Sequence, residues 1–587
     1  MSRRRTSRRG FLKTIGFGAA ALTLPRVLAA KEEAPARPNV VLVITDDQGY
    51  GDLGCHGNKI IRTPNMDKLH GQSTRLTNFH VGPTCAPTRA ALMTGRYCNR
   101  TGVWHTIMGR SILRADEVTM ADVFRAGGYR TGFFGKWHLG DNYPFLPQHR
   151  GFDVVRRHGG GGVGQTPDYW GNDYFDDTYE ENGAWRKFDG YCTDVWFDGA
   201  LKFVESSAKA GKPFFCYLPT NAPHGPYLVA QKYIDMYKAN PDVPSAAFYG
   251  MITNIDENVG RLMKRLDELG IADNTILIFM TDNGTAAGWR RGKGFNAGMK
   301  GTKGSEFDGG HRVPCFIRWP GGGIRAGRDI GRVTAHVDLL PTLAALCGIR
   351  KPKGVKLDGD DITPLLKGTD AGWPDRILIT DSQRLENPVK WRKSAVMTDR
   401  WRLVNGTALY DMPADGGQQK NVADAHPDMV KRLRDAYEKW WADTSKRFGE
   451  YVPIVIGSPK ANPTCLTGHD WHGGGANRVW NHRQINGGPL ANGLWAVEVA
   501  RAGTYELALR RWPREADKPI REKFIAVTQA RAKVAGVEAA APVAADAKEV
   551  VLRVKLPAGG TTLQTWLTDE KGKSSGAYFV YVKYVGE

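Results

Sequence analysis

Pro38-Asn39-Val40-Val41-Leu42-Val43-Ile44-Thr45 is an apolar, largely β-branched run that ends in Asp46-Asp47-Gln48-Gly49. Without polar alternation it reads as a strand buried on both faces, the habit of parallel strands in α/β sheets. In such sheets ligands collect beyond the carboxyl ends of the strands. Two adjacent carboxylates placed there repel each other in a dry site, and a divalent cation is the simplest remedy. A pair of solvated loop acids is the competing reading. The pattern returns at Asn274-Thr275-Ile276-Leu277-Ile278-Phe279-Met280-Thr281, which ends in Asp282-Asn283-Gly284. Asp46, Asp47, Asp282 and Asn283 thus stand at two strand ends, and an all-oxygen set of this kind suits Ca²⁺ or Mg²⁺ rather than zinc.

Between these runs lies Gly82-Pro83-Thr84-Cys85-Ala86-Pro87-Thr88-Arg89-Ala90-Ala91-Leu92-Met93-Thr94-Gly95-Arg96. A lone Cys at a helix start is most often a buried small hydrophobe. The whole string, however, resembles the signature of the type I, arylsulfatase-like sulfatases of the alkaline phosphatase superfamily, whose Cys is oxidised to formylglycine. Gly128-Tyr129-Arg130-Thr131-Gly132-Phe133-Phe134-Gly135-Lys136-Trp137-His138-Leu139-Gly140 looks like the second signature of that family, with Phe134 as a departure. Asn221-Ala222-Pro223-His224-Gly225 and Met299-Lys300-Gly301-Thr302-Lys303 match two further family stretches, and His311, in Gly309-Gly310-His311-Arg312, departs from the small or apolar residue usual there. His311 is read as a substrate contact or a tolerated change.

The resemblance implies a division of labour. Cys85, as an aldehyde hydrate, attacks sulfur with one hydroxyl and releases sulfate through the other, a covalent route with a built-in exit. Asp46, Asp47, Asp282 and Asn283, with an oxygen of the modified Cys85, hold Ca²⁺; Mg²⁺ is less favoured. Asp282 helps deprotonate the nucleophile, and Arg89 braces the hydrate or its metal-bound neighbours. Lys136 and Lys303 supply the positive field around the sulfate. His138 takes the proton of the remaining hydroxyl, and His224 assists the leaving group. The reaction implied is hydrolysis of a sulfate ester. A phosphate or phosphonate ester hydrolase on the same scaffold and an inactive sulfoglycan-binding protein are the alternatives.

The fold expected is α/β: a large mixed, mostly parallel sheet sandwiched by helices, then a small α+β subdomain. At 587 residues the chain is too long for one ordinary domain. Catalytic residues 38–370 would be followed by an antiparallel subdomain at 371–450. Residues 451–475, rich in Pro, Gly and Asn, read as a linker. Residues 476–587 alternate in short runs such as Leu494-Trp495-Ala496-Val497-Glu498-Val499 and read as an appended β-sandwich. Trp471, Trp480 and Trp512 are its candidate sugar platforms, with a structural lid as the alternative. His336 to Gly348 reads as a helix with a core face.

Composition fits a globular protein, with 41% hydrophobic and 24% charged residues. Ser7-Arg8-Arg9-Gly10-Phe11-Leu12-Lys13 and the mild apolar stretch after it look like a twin-arginine signal over residues 1–30. That predicts a periplasmic or secreted protein whose partners include the twin-arginine translocase and, through Cys85, a formylglycine-generating enzyme. The formal charge is +20, but no basic run with interleaved aromatics points to nucleic acid, and no long apolar run after the N-terminus points to a membrane span. Attraction of a polyanion fits better. The eight Cys show no CxxC spacing, which argues against zinc and leaves one or two disulfides open. Tyr169, Trp170, Tyr174, Phe175, Tyr179 and Trp185, preceded by Arg150, Arg156, Arg157 and His158, suggest a sulfated saccharide as substrate. Packing of those aromatics inside a folded loop is the competing reading.

Overall fold

The computed structural model describes residues 37–369 and 371–587, so the signal-peptide reading of residues 1–30 lies outside the described residues. A ten-stranded sheet crosses the larger part of the chain. Its strand order is Arg328–Ile330, Thr74–Leu76, Cys315–Arg318, Thr275–Thr281, Asn39–Thr45, Phe214–Pro219, Arg130–Gly135, Val154–Arg157, Thr178–Glu181 and Ala184–Lys187. The five strands from Thr275–Thr281 to Val154–Arg157 are all parallel, and antiparallel pairs appear toward the edges. The mixed, mostly parallel α/β sheet expected from the sequence is therefore present.

Side-chain alternation divides the Asn39–Thr45 strand between two cores. Val40, Leu42 and Ile44 join a cluster with the helices at Cys85–Thr94, Met120–Ala126 and Leu339–Leu346. Val41 and Val43 join another with the helices at Cys192–Lys209 and Ala246–Glu268. Both faces are thus covered, which is why the strand sequence shows no polar alternation.

Residues 378–411 form a four-stranded antiparallel sheet. The helix Pro427–Thr444 lays Leu433, Tyr437 and Trp440 against its Val396, Leu403 and Leu409. Beyond it, two sheets face each other. One contains Ile454–Ile456, Leu494–Val499, Gly559–Asp569, Val527–Val534 and Val537–Pro542; the other contains Thr464–Thr467, Phe579–Gly586, Gly503–Arg510 and Val550–Leu556. The expected linker at 451–475 is corrected by two of these strands. Ile454–Ile456 pairs with Leu494–Val499, and Thr464–Thr467 pairs with Phe579–Gly586. Their short β-branched runs pair with distant strands, while the surrounding Pro, Gly and Asn serve the turns between them. All eight cysteines are unpaired.

The sandwich core does not close on itself. Ile107, Met108, Ile112 and Phe145 of the catalytic region belong to the same apolar cluster as Trp471, Trp495 and Trp512. Cutting the chain after residue 450 would strip that cover from four buried apolar side chains. The expected outcome is loss of soluble, monodisperse protein by size-exclusion chromatography. A stable monomer of residues 37–450 would show that the module is dispensable to the fold.

Candidate active site

Neighbouring parallel strands in register end together. Thr45 pairs with Thr281, and Ile44 with Pro219. The next residues, Asp46-Asp47, Asp282-Asn283 and the turn Thr220–His224, therefore leave the sheet side by side. Lys136 and His138 follow the adjacent strand Arg130–Gly135. Gly135 makes this crowding feasible: it holds a φ of 130°, and a Cβ there would fall 1.9 Å from the Pro219 carbonyl oxygen.

Cys85 opens a helix, Cys85–Thr94, in which every residue is buried. Arg89, one turn on, sends Nη2 to Asp282 Oδ2 at 2.8 Å and Nη1 to the Lys136 carbonyl at 3.1 Å. It thus braces the residues around Cys85. Lys136 Nζ lies 2.5 Å from Asp46 Oδ2, and Lys303 Nζ lies 2.7 Å from the Asp47 carboxylate. Asn283 Nδ2 donates to Asp47 Oδ1 at 2.9 Å, and the Asp47 amide donates to Asp282 Oδ1 at 3.1 Å.

Burial and the neighbouring Asp46 charge push Asp282 up to about 7. Burial, the largest influence, would raise Asp47, but the Lys303 charge, the His224 ring and the hydrogen bonds from Lys303 and Asn283 together outweigh it and hold that carboxyl well below the usual range. Burial likewise opposes the charge on Lys303, and Asp47, with smaller contributions from Cys85 and Asp46, reverses this, leaving the ammonium more firmly protonated than usual.

Metal capacity rests on atoms left over from this network. Asp46 Oδ1 and Asn283 Oδ1 are buried without a hydrogen-bond partner, a condition that is unfavourable unless a cation or donor answers them. Ligand atoms of Asp46, Cys85 and Asp282 lie within 4.8 Å of one another. With Asp47 and Asn283 alongside, the set fits a hard divalent cation.

The two histidines have fixed polarity. His138 Nε2 donates to the Thr106 carbonyl at 2.8 Å, leaving the buried Nδ1 unpartnered as the free lone pair. Burial, and then the Lys136 charge, hold its pKa well below the ordinary value. Gly161 presses on this ring so closely that a Cβ would come 2.1 Å from Cε1. His224 Nδ1 donates to the Gly225 carbonyl at 2.7 Å, and its Nε2 lies 3.8 Å from Asp47 Oδ2. Burial and Lys303 lower its pKa to about 3.

All ten sequence-selected residues thus meet in one region. A cavity of about 120 Å³ opens onto it, lined by Cys85, His138, His224 and Lys303 together with Thr106, Ile107, Gln165, Arg384, Asn477 and Trp480. Of the last six only Trp480 was marked in the sequence, as a candidate sugar platform; the other five carry no local signal. Their chain segments are far apart, and only tertiary contact assembles them.

Where the sequence left two readings open, the buried positions favour the structural one over substrate contact. His311 is fully buried, and its Nδ1 faces His80 Nδ1 at 2.9 Å. Both rings pack beside Asp308, which accepts from Arg402 Nε at 3.0 Å, while Arg402 Nη2 reaches Asn78 Oδ1 at 2.6 Å. Tyr174 and Tyr179 are core residues, and Arg157 is occupied by Asp141 and Glu180. Arg156 pairs with Glu181, and Arg150 is spent on backbone carbonyls. Tyr174 nonetheless serves the site, since its hydroxyl donates to the His224 carbonyl at 2.8 Å.

The chain matches a family profile described as Sulfatase over residues 38–349. Human arylsulfatase A is 34% identical over 373 residues, covering 58% of this chain and 70% of that protein. The ulvan-active sulfatase of Formosa agariphila is 31% identical over 361 residues, covering 58% and 67%. The crystal structure of Ps i-CgsB in complex with k-i-k-neocarrahexaose superposes with a TM-score of 0.64 at 29% identity, covering 71% of this chain and 95% of that one.

Arg402→Leu would leave the fully buried Asp308 carboxylate without its guanidinium. We expect a loss of about 3–5 kcal/mol in stability, read by urea denaturation of the full chain. A change under about 1 kcal/mol, the range of an exposed pair, would mean that the buried pair contributes no more to stability than a surface one.

Proposed function

The chain belongs to the sulfatase family and hydrolyses sulfate esters, and from that premise we propose that it acts on sulfated saccharides, with Cys85 oxidised to formylglycine and Ca²⁺ held by Asp46, Asp47, Asp282 and Asn283. The observation that carries the site assignment is the pair of buried, unpartnered oxygens, Asp46 Oδ1 and Asn283 Oδ1, beside a Cys85 that is 2% exposed. Saccharide substrates are supported by the ulvan-active relative and by the neocarrahexaose complex.

When bound, the cation would supply positive charge beside the sulfate. The oxidised residue would supply the hydroxyl that attacks sulfur and a second hydroxyl through which sulfate departs.

The rest falls to the chain's own groups. Lys136 and Lys303 would share their N–H donors between Asp46 and Asp47 and the sulfate oxygens, stabilising negative charge in the transition state. Burial, and then the Lys303 charge, oppose protonation of His224. The anionic substrate acts in the opposite sense and favours the protonated ring, whose Nε2–H would be delivered to the leaving ester oxygen. His138, with Nε2–H committed to Thr106, would accept the remaining hydroxyl proton at Nδ1. Arg89 would keep Asp282 and the Lys136 backbone in place.

We read residues 1–30 as a twin-arginine signal directing the chain to the periplasm or outside the cell. No helix among the described residues is long and apolar enough to cross a membrane.

Mass spectrometry of the peptide carrying residue 85 is expected to show a mass about 18 Da below the cysteine form. Cys85→Ala should abolish turnover of 4-nitrophenyl sulfate, and Lys303→Ala should reduce it roughly 10²–10³-fold. An unmodified thiol in fully active protein would sink the nucleophile assignment. Thermal melting with added Ca²⁺ or Mg²⁺ should show the larger upward shift with Ca²⁺; a larger shift with Mg²⁺ would reverse the choice of metal. Faster cleavage of 4-nitrophenyl phosphate than of the matched sulfate would point to a phosphoesterase.

A further inference from the structure

We propose that Trp480, Asn477 and Arg384 form a sugar-binding subsite over the mouth of the catalytic cavity, so that the C-terminal sandwich takes part in choosing the substrate. This rests on the sulfatase reading above. Its ligand class is a glycoside ring that bears the scissile sulfate and carries a second anionic substituent, on the same ring or the next.

Size comes first. The cavity of about 120 Å³ is well below the roughly 300–1,000 Å³ of pockets that enclose a whole drug-sized ligand. It takes the sulfate group and its ester oxygen, and the ring bearing them stays at the rim. Trp480 and Asn477 from the C-terminal module and Arg384 from the small subdomain line the same cavity, and all three reach solvent, which puts them on its outer side.

The three side chains are available where their neighbours are not. Trp471, Trp495 and Trp512 are fully buried, and the indole N–H groups of Trp495 and Trp512 are spent on the carbonyls of Thr467 and Pro519. They are core, which corrects the expectation that Trp471 and Trp512 serve as platforms. Trp480 is only half-buried and Asn477 is exposed. Trp480 offers an apolar face to the C–H face of a sugar and an indole N–H to a hydroxyl. Arg384 is exposed and makes no ion pair among the described residues, whereas Arg89, Arg157 and Arg402 are committed to Asp282, Asp141 and Asp308. A free guanidinium at the rim of an anion-binding cavity is suited to a sulfate or carboxylate in bidentate geometry.

The platform is held in place. Thr166 takes the backbone of the module twice, N to the Trp480 carbonyl at 3.0 Å and Oγ1 to the Val479 carbonyl at 2.5 Å. His482 N returns a bond to the Gly164 carbonyl at 3.0 Å. The Trp480 amide donates to Gln484 Oε1 at 2.9 Å, and Asn481 caps the following helix through the Gln484 amide. Ordering the backbone before the ligand arrives reduces the entropy lost on binding.

The test compares substrates within each variant. Wild-type kcat/KM is measured for 4-nitrophenyl sulfate and for a panel of mono- and disulfated galactose, N-acetylgalactosamine and glucosamine mono- and disaccharides. The saccharide cleaved best is divided by the aryl sulfate. Trp480→Ala is expected to lower that ratio about tenfold or more, with Trp480→Phe restoring most of it. Arg384→Gln should lower the ratio for doubly anionic saccharides and leave it for singly anionic ones. Equal loss on both substrate types, or no change in the ratio, overturns the subsite, as does a wild-type enzyme that cleaves no panel saccharide better than the aryl sulfate. Absence of wild-type turnover on every sulfate ester overturns the sulfatase reading instead. Melting temperatures of all variants identify a ratio change that stems from unfolding.

Discussion

Register between parallel strands is the constraint on which the site depends. Parallel pairing leaves all carboxyl ends on one edge, and a one-residue slip would reverse every side chain. With Thr45 opposite Thr281, three carboxylates emerge within one buried volume, and burial alone would neutralise at least one of them. The chain answers with three cations. Lys136 meets Asp46, Lys303 meets Asp47 and Arg89 meets Asp282. The resulting site pairs each carboxylate with a cation and is still short of partners at two oxygens, Asp46 Oδ1 and Asn283 Oδ1. A divalent cation entering such a site adds positive charge, and an anionic ester relieves it. On electrostatic grounds, a divalent cation and an anionic ester would favour each other's binding there.

The strand ends were legible because burial on both faces removes polar residues from a run, so its first polar residues mark where the sheet stops. Asp46-Asp47 and Asp282-Asn283 carry that mark. Lys136, His138, His224 and Lys303 were legible only through family resemblance. A Lys or His in a Gly-rich loop has no local pattern that says which way it faces.

Long-range packing explains what the sequence did not disclose. Tyr174 and Trp480 look alike as aromatic residues in irregular segments, yet one is inside the core and the other stands at the cavity rim. Arg157 and Arg384 are equally basic in sequence, and only the fold supplies Asp141 and Glu180 to the first and nothing to the second. The 451–475 segment misleads for a related reason. Its Pro, Gly and Asn report turns faithfully, but Ile454–Ile456 and Thr464–Thr467 become strands by pairing with partners 43 and 118 residues later, Ile454 with Val497 and Thr464 with Val582. His311 is the opposite case, a conspicuous residue whose ring is taken by His80 inside a buried network.

The apolar cluster that runs from Ile107, Met108, Ile112 and Phe145 into the sandwich bears on how such a protein can diversify. Modules that are tethered by a flexible linker can be exchanged whole between genes, because neither partner loses cover. Here exchange would uncover oil on both sides of the seam, so inheritance of the two parts is coupled. Changes of preference in the subsite proposed above would fall to point substitution at Asn477, Trp480 and Arg384, with the seam itself left unaltered.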